Sequence, residues 1–146
     1  MARNKKKLGG QSANTSSRRP SAVDESRRPF MEAPVWSFKY CDEHHEKWGT
    51  HCNGALLSDI IAHLKSFEGM RICDIFQTGS HRIPVSRISK EAQERLIHRS
   101  LEAIDSLYSF RITGEKRVWS ILIENVVFIL WIDPEHEVCP VNKKHT

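Results

Sequence analysis

Apolar positions change their period once along this chain, from a helical spacing to a strand-like one. Leu56, Leu57, Ile60, Ile61, Leu64 and Phe67 recur three or four apart, the spacing of a helix that buries one face. Asn53 stands where an N-cap belongs and Gly69 where the helix should stop. Met70 to Phe76 reads as a short helical turn and Gln77 to Pro84 as a connection. A second helix is predicted from Ser89, whose hydroxyl suits a cap, through Ala92, Leu96 and Ile97 to about Arg99, with a charged outer face. Leu101 to Leu107 offers one more helical turn. Beyond it Tyr108, Phe110 and Ile112 alternate with Ser109 and Arg111, and Arg117 to Ile123 alternates again. Val126 to Ile132 is apolar almost throughout, rich in the β-branched and aromatic residues that strands favour.

Thr113-Gly114 and Glu124-Asn125 are tight-turn signals between these strands, so an antiparallel meander follows from short connections. The third strand, apolar on both faces, is expected at the centre. Pro134 ends it, and His136 to Val141 is predicted as a short fourth strand that Pro140 confines to an edge. Val35, Trp36, Phe38 and Tyr40 suit an extended segment laid against the domain, followed by a polar stretch to Asn53. The expected fold is α+β: N-terminal helices packed on a three- to four-stranded antiparallel β-meander over residues 55–146. An extended or loop segment over 34–54 and a disordered basic tail over 1–33 precede it.

Composition alters this picture at the N-terminus. Residues 1–30 carry eight basic and two acidic side chains, a net +6, so against a total of +4 the rest of the chain carries −2. The calculated basicity thus belongs to a Ser-, Arg-, Lys- and Gly-rich segment with too little apolar surface to offset its ordering entropy. A nucleic-acid site on the domain has to be a local patch. The longest apolar run, Val126 to Ile132, is too short to span a bilayer. The basic start Met1-Ala2-Arg3-Asn4-Lys5-Lys6-Lys7 is followed by no apolar stretch, so the secretory pattern fails and the expected location is cytoplasmic. Cys41, Cys52, Cys73 and Cys139 are scattered and form no CxxC, which in that compartment points to reduced thiols.

Two groups of residues invite chemistry. Cys41, His44, His45, His51 and Cys52 fall within twelve positions and are of the types that hold zinc. Their spacing lacks the paired knuckle, and adjacent His44 and His45 point apart, so a polar surface loop is the plainer reading and a small zinc-supported regulatory protein the alternative.

The second group lies in the meander. The stretch Leu107-Tyr108-Ser109-Phe110-Arg111-Ile112-Thr113-Gly114-Glu115-Lys116-Arg117-Val118-Trp119-Ser120 resembles the RelE/YoeB-like toxin family of messenger-RNA-cleaving proteins: an apolar and aromatic strand with an Arg, a charged turn, then Arg followed by apolar residues. The resemblance covers roughly Leu56 to Cys139, and His136 falls about where that family places a catalytic His or Tyr. It implies an endoribonuclease acting on messenger RNA, free or ribosome-bound, and restrained by an antitoxin protein. Arg117 would neutralise the phosphorane-like transition state, with Arg111 beside it, and His136 would protonate the leaving 5′-oxygen. Cleavage by the 2′-hydroxyl needs a base, a cation and an acid; Arg supplies a fixed fork for two phosphate oxygens and imidazole a proton near neutrality. That scheme requires neither metal nor cofactor. Glu115 and Glu91 are candidate bases, and Lys116, Lys143, Lys144 and His145 would extend a positive patch along the RNA backbone. Trp119 or Trp131 would stack a base or fill the core. The plainer readings pair Arg111 and Arg117 with Glu115, Glu135 or Glu137 as surface ion pairs, make His136 the cap of its turn and Lys143-Lys144 a frayed end. A non-catalytic nucleic-acid- or protein-binding module of the same fold is the alternative function.

Overall fold

The computed structural model describes residues 28–140. It is an α+β structure in which a five-stranded mixed sheet runs in the order β1-β5-β4-β3-β2. The strands are β1 (Val35–Ser37), β2 (His81–Pro84), β3 (Ser106–Arg111), β4 (Arg117–Ile123) and β5 (Val126–Asp133). Its helices are α1 (Leu57–Phe67), α2 (Ile72–Ile75) and α3 (Lys90–His98).

The meander β3-β4-β5 stands where the alternation put it, but an additional strand flanks it on each side. β1 adds to β5 in parallel, with Val35 opposite Val126, so the segment laid against the domain is part of the sheet. β2 adds to β3 antiparallel, with His81 opposite Ser109, where a plain connection was expected. The middle strand is therefore β4, not β5. The fourth strand expected over 136–141 does not form among its described residues: Glu137 and Val138 donate their amides to the Asp133 carboxylate at 2.9 Å each, which leaves them no ladder to join.

Both faces of the sheet are covered, which is why β4 and β5 are apolar nearly throughout. On one face Ile60 and Leu64 of α1 and Ile75 of α2 meet Phe110, Ile112, Val118, Val127, Ile129 and Ile132. On the other, Ala92 and Leu96 of α3 with Trp48 and Val138 meet Leu107, Trp119, Ile121, Leu130 and Trp131. A bulge lets the consecutive residues Leu130 and Trp131 share that second face: Trp119 opposes Trp131, whereas Ser120 opposes Ile129. The extra residue also reverses the alternation beyond it, so Asp133 meets the Trp119 indole on the α3 face.

Local signals explain the helix ends. Ser89 Oγ accepts from the Ala92 amide at 3.2 Å, the expected cap. Asn53 does not cap α1, because its amide nitrogen donates to the Lys47 and Gly49 carbonyls; a 3₁₀ turn, Gly54–Leu56, leads into α1 instead. After α3, Ser100 takes φ 58° and the Leu101 amide reaches back to the Leu96 carbonyl at 2.8 Å. That left-handed stop replaces the extra helical turn expected over 101–107. Residues 28–31 form a 3₁₀ turn, and the Glu32 carbonyl accepts from the Ile72 amide. The tail reading for residues 1–27 lies outside the described residues, as do Lys143, Lys144 and His145. No helix among the described residues is long and apolar enough to cross a membrane.

Candidate active site

The α3 face of the sheet is left uncovered toward the β2 edge, and there a cleft of about 610 Å³ opens. Buried Ser109 and Trp119 line it, together with His81 and Ile83 from β2, Arg87 from the turn that follows, Arg117 from β4, and His136, Cys139 and Pro140 from the segment after β5. Four of the lining residues are cationic or titratable to cations, and no carboxylate is among them. This volume is in the range of small-molecule sites.

Alternation places the strand residues. Ser109 and Arg111 on β3 share a face, as do Arg117 and Trp119 on β4, and Arg111 pairs with Arg117 across the two strands. Arg117 is half-buried. Its Nη1 donates to the Gly114 carbonyl at 2.6 Å and the Lys116 carbonyl at 3.1 Å. No carboxylate forms an ion pair with it among the described residues. Burial, and after it the Arg111 guanidinium, pull its pKa below the ordinary arginine value. Arginine remains charged regardless, and the Asp133 and Glu115 charges only partly offset its burial. Arg111 itself is exposed and extends across Gly79, where an added Cβ would come within 3.0 Å of the Arg111 Cδ.

Asp133 opposes Arg117 in the strand register yet does not neutralise it. Completely buried, Asp133 accepts from Trp119 Nε1 at 3.1 Å and from the Glu137 and Val138 amides. It fixes the turn that carries His136. Within that turn His136 adopts φ 58°, a left-handed conformation uncommon for a residue with a side chain. One consequence is a division of charge: His136 enters the cationic cleft, while Glu135 and Glu137 line a separate hollow with Lys47 and Asp133. Lys47 lies 3.9 Å from Glu137. Nδ1 of His136 is buried without a hydrogen-bond partner among the described residues, so no such bond at that nitrogen fixes the ring.

Of the residues singled out from sequence, Arg117 and His136 come together in this cleft, and Arg111 adjoins Arg117. Lys116 sits in the β3–β4 turn, half-buried, outside the lining. Glu115 is in the same turn, exposed. Glu91 is remote from the cleft: it binds Lys47 at 3.0 Å and lies 3.6 Å from His45. Trp119 and Trp131 are both buried, their indole N–H groups given to Asp133 and Asp42. His81, Arg87, Ser109 and Cys139 were not singled out as site residues; β2, four residues long, is too short for its alternation to mark a strand. Burial raises the Cys139 thiol pKa above the ordinary value, against the lowering effect of Arg87.

The Cys41–Asn53 group is organised around a carboxylate. Buried Asp42 accepts from Arg95 Nε and Nη2 at 2.8 and 2.9 Å, from Trp131 Nε1 at 3.0 Å and from the His44 and His45 amides at 3.2 Å. Burial would raise its pKa, but the Arg95, Trp131 and His44 hydrogen bonds and the Arg99 charge hold it well below the carboxylate range. His45 Nδ1 accepts from the Lys47 and Trp48 amides, and Cys52 Sγ is directed at main-chain carbonyls. Among the described residues, no three His, Cys, Asp or Glu side chains are grouped to hold a metal ion.

Compared with protein-family models, with curated proteins and with solved structures, the chain matches none.

Proposed function

We propose that this protein is a RelE-like endoribonuclease that cleaves messenger RNA by metal-independent attack of the 2′-hydroxyl, with Arg117 and His136 as its core. One observation carries the reading: Arg117 is a half-buried cation without a carboxylate partner among the described residues, in a carboxylate-free cleft it shares with His136. A buried charge is normally paired, and one that is not gains most from an anion that enters. A phosphodiester is such an anion, and its charge grows in the transition state, where a fixed guanidinium acts most strongly. His136 supplies the proton for the departing 5′-oxygen. Arg87 and Arg111 add cations at the cleft and beside it, and the basic N-terminal residues add attraction for a polyanion. A partner protein that covered this cleft would act as the antitoxin.

The test is a labelled single-stranded RNA incubated with the full chain in the presence of a chelator, with Arg117→Ala and His136→Ala in parallel. Cleavage to a 2′,3′-cyclic phosphate and a 5′-hydroxyl, lost in both variants, is the expected result. RNA bound by the wild type in a salt-dependent manner but left intact would convert the reading to a non-catalytic binding module. Neither binding nor cleavage would remove both.

A further inference from the structure

His81 stands in the cleft with nothing in its sequence surroundings to announce it. Resting on the ribonuclease reading, we infer that His81 is the general base of the same reaction, taking the proton from the attacking 2′-hydroxyl while His136 protonates the leaving group. The two imidazoles reach the cleft from different elements, and in the strand order β2 and β5 lie on either side of β3 and β4. His81 comes from β2, an edge strand, opposite Ser109 on β3; His136 comes from the turn after β5. Between them lie Ser109 and Trp119, paired across β3 and β4, with Arg117 two residues before Trp119 on the same face. In-line displacement at phosphorus places the attacking and departing oxygens on opposite sides, so its base and acid must flank the group that holds the phosphate. In strand order Arg117, on β4, stands between β2, which carries His81, and β5, which leads into the turn of His136. Neither Glu115, exposed in its turn, nor Glu91, engaged with Lys47, lines the cleft, and among the described residues lining it His81 is the one remaining side chain suited to accept a proton near neutrality.

The proton balance closes without an outside reactant. His81 takes the 2′-hydroxyl proton as the 2′-oxygen–phosphorus bond forms. The bond from phosphorus to the 5′-oxygen breaks, and that oxygen takes the proton of the His136 imidazolium. A 2′,3′-cyclic phosphate and a 5′-hydroxyl result, with the proton now on His81, to be returned through water. The charged and titratable groups that face His81 here are Arg87 from the turn after β2, Arg117 from β4, and His136 and Cys139 from the segment after β5.

Two substrates separate base from acid: an oligoribonucleotide, and a ribonucleoside 3′-aryl phosphate whose phenolate departs without a proton. His81→Ala should lose about 10²- to 10⁴-fold in kcat on both, whereas His136→Ala should lose that on the oligoribonucleotide alone. The acid limb of the wild-type pH profile should vanish in His81→Ala and the alkaline limb in His136→Ala. His81 is exposed, so an unchanged melting temperature is expected to accompany the loss. Wild-type kcat retained by His81→Ala on both substrates, or a change confined to KM, would overturn the assignment and leave the ribonuclease reading intact. A wild-type chain that turns over neither substrate would overturn the two together.

Discussion

Arg95 and Arg117 occupy matched settings and meet opposite fates. Each is a part-buried guanidinium near a buried aspartate, and each aspartate also takes a tryptophan indole and fixes the turn that follows it. Asp42 does so with Trp131 and the His44 and His45 amides; Asp133 does so with Trp119 and the Glu137 and Val138 amides. Arg95 closes on Asp42 in a two-pronged pair, while Arg117, opposite Asp133, is left to main-chain carbonyls. A compensated cation ties α3 to the loop after β1 and has no charge left over. The other forms no ion pair among the described residues, which is why the cleft and not the Asp42 network is read as the site.

That contrast is measurable as stability. Arg95→Met takes the two-pronged partner from the buried Asp42 carboxylate, which keeps Trp131, the His44 and His45 amides and Arg99 at 4.0 Å, and should cost about 3 kcal/mol in denaturant unfolding, the low end for a buried pair broken on one side. Arg117→Met removes a cation that forms no ion pair among the described residues and should leave stability within about 1 kcal/mol, its lost carbonyl bonds offset by release of buried charge. RNA cleavage by that variant should nonetheless fall by about 10²- to 10³-fold. Equal destabilisation by both substitutions would show that Arg117 is a structural residue after all.

Asp133 permits an intermediate perturbation. Asp133→Asn keeps the shape of the side chain but puts an amide N–H where one oxygen accepted, either from Glu137 or from Val138 and Trp119, so at least one of the three donors it now serves is stranded. The expected cost is about 1–3 kcal/mol, together with a fall in kcat, because the turn holding His136 loosens while the carbonyl bonds of Arg117 stay in place. Unaltered kcat in a destabilised variant would separate the turn from the chemistry.

How much of this was legible in the sequence depends on the range of the forces involved. β4 was read with its observed ends because the turn signals Thr113-Gly114 and Glu124-Asn125 bound it on both sides, and the Ser89 cap is a contact three residues long. β1 and β2 span three and four residues, too short for a period to declare itself, and β1 is fixed by partners such as Asn125, whose amide reaches Ala33 across 92 positions. The bulge at Leu130 left no mark in an apolar run, yet it turns Asp133 onto the face of the cleft. Arg117 and His136 were found from residue type and a family resemblance. What could not be seen was that the positive φ of His136 would separate it from Glu135 and Glu137, or that a connecting segment would contribute His81.

His45 gives the smallest and most specific effect, confined to the Asp42 side. Its Nδ1 accepts two main-chain N–H bonds, from Lys47 and Trp48, and the ring stacks on Trp48 with centroids 4.3 Å apart. A proton on Nδ1 would abolish both acceptor contacts. Burial lowers the pKa of His45, against the raising influence of Asp42 and Glu91. The folded state therefore takes up this proton less readily than the unfolded chain, whose imidazole titrates near pH ~6.5. Stability from this group is complete above that value and is lost as the pH falls below it, at no more than about 1.4 kcal/mol per pH unit. Asp42, its pKa held low, makes its own contribution lapse only below about pH 4. Unfolding free energy should thus decline in two steps on acidification, and His45→Gln should erase the first and spare the second. A first step that survives this substitution would move the near-neutral titration to another histidine and leave the Asp42 loop indifferent to pH until its carboxylate protonates.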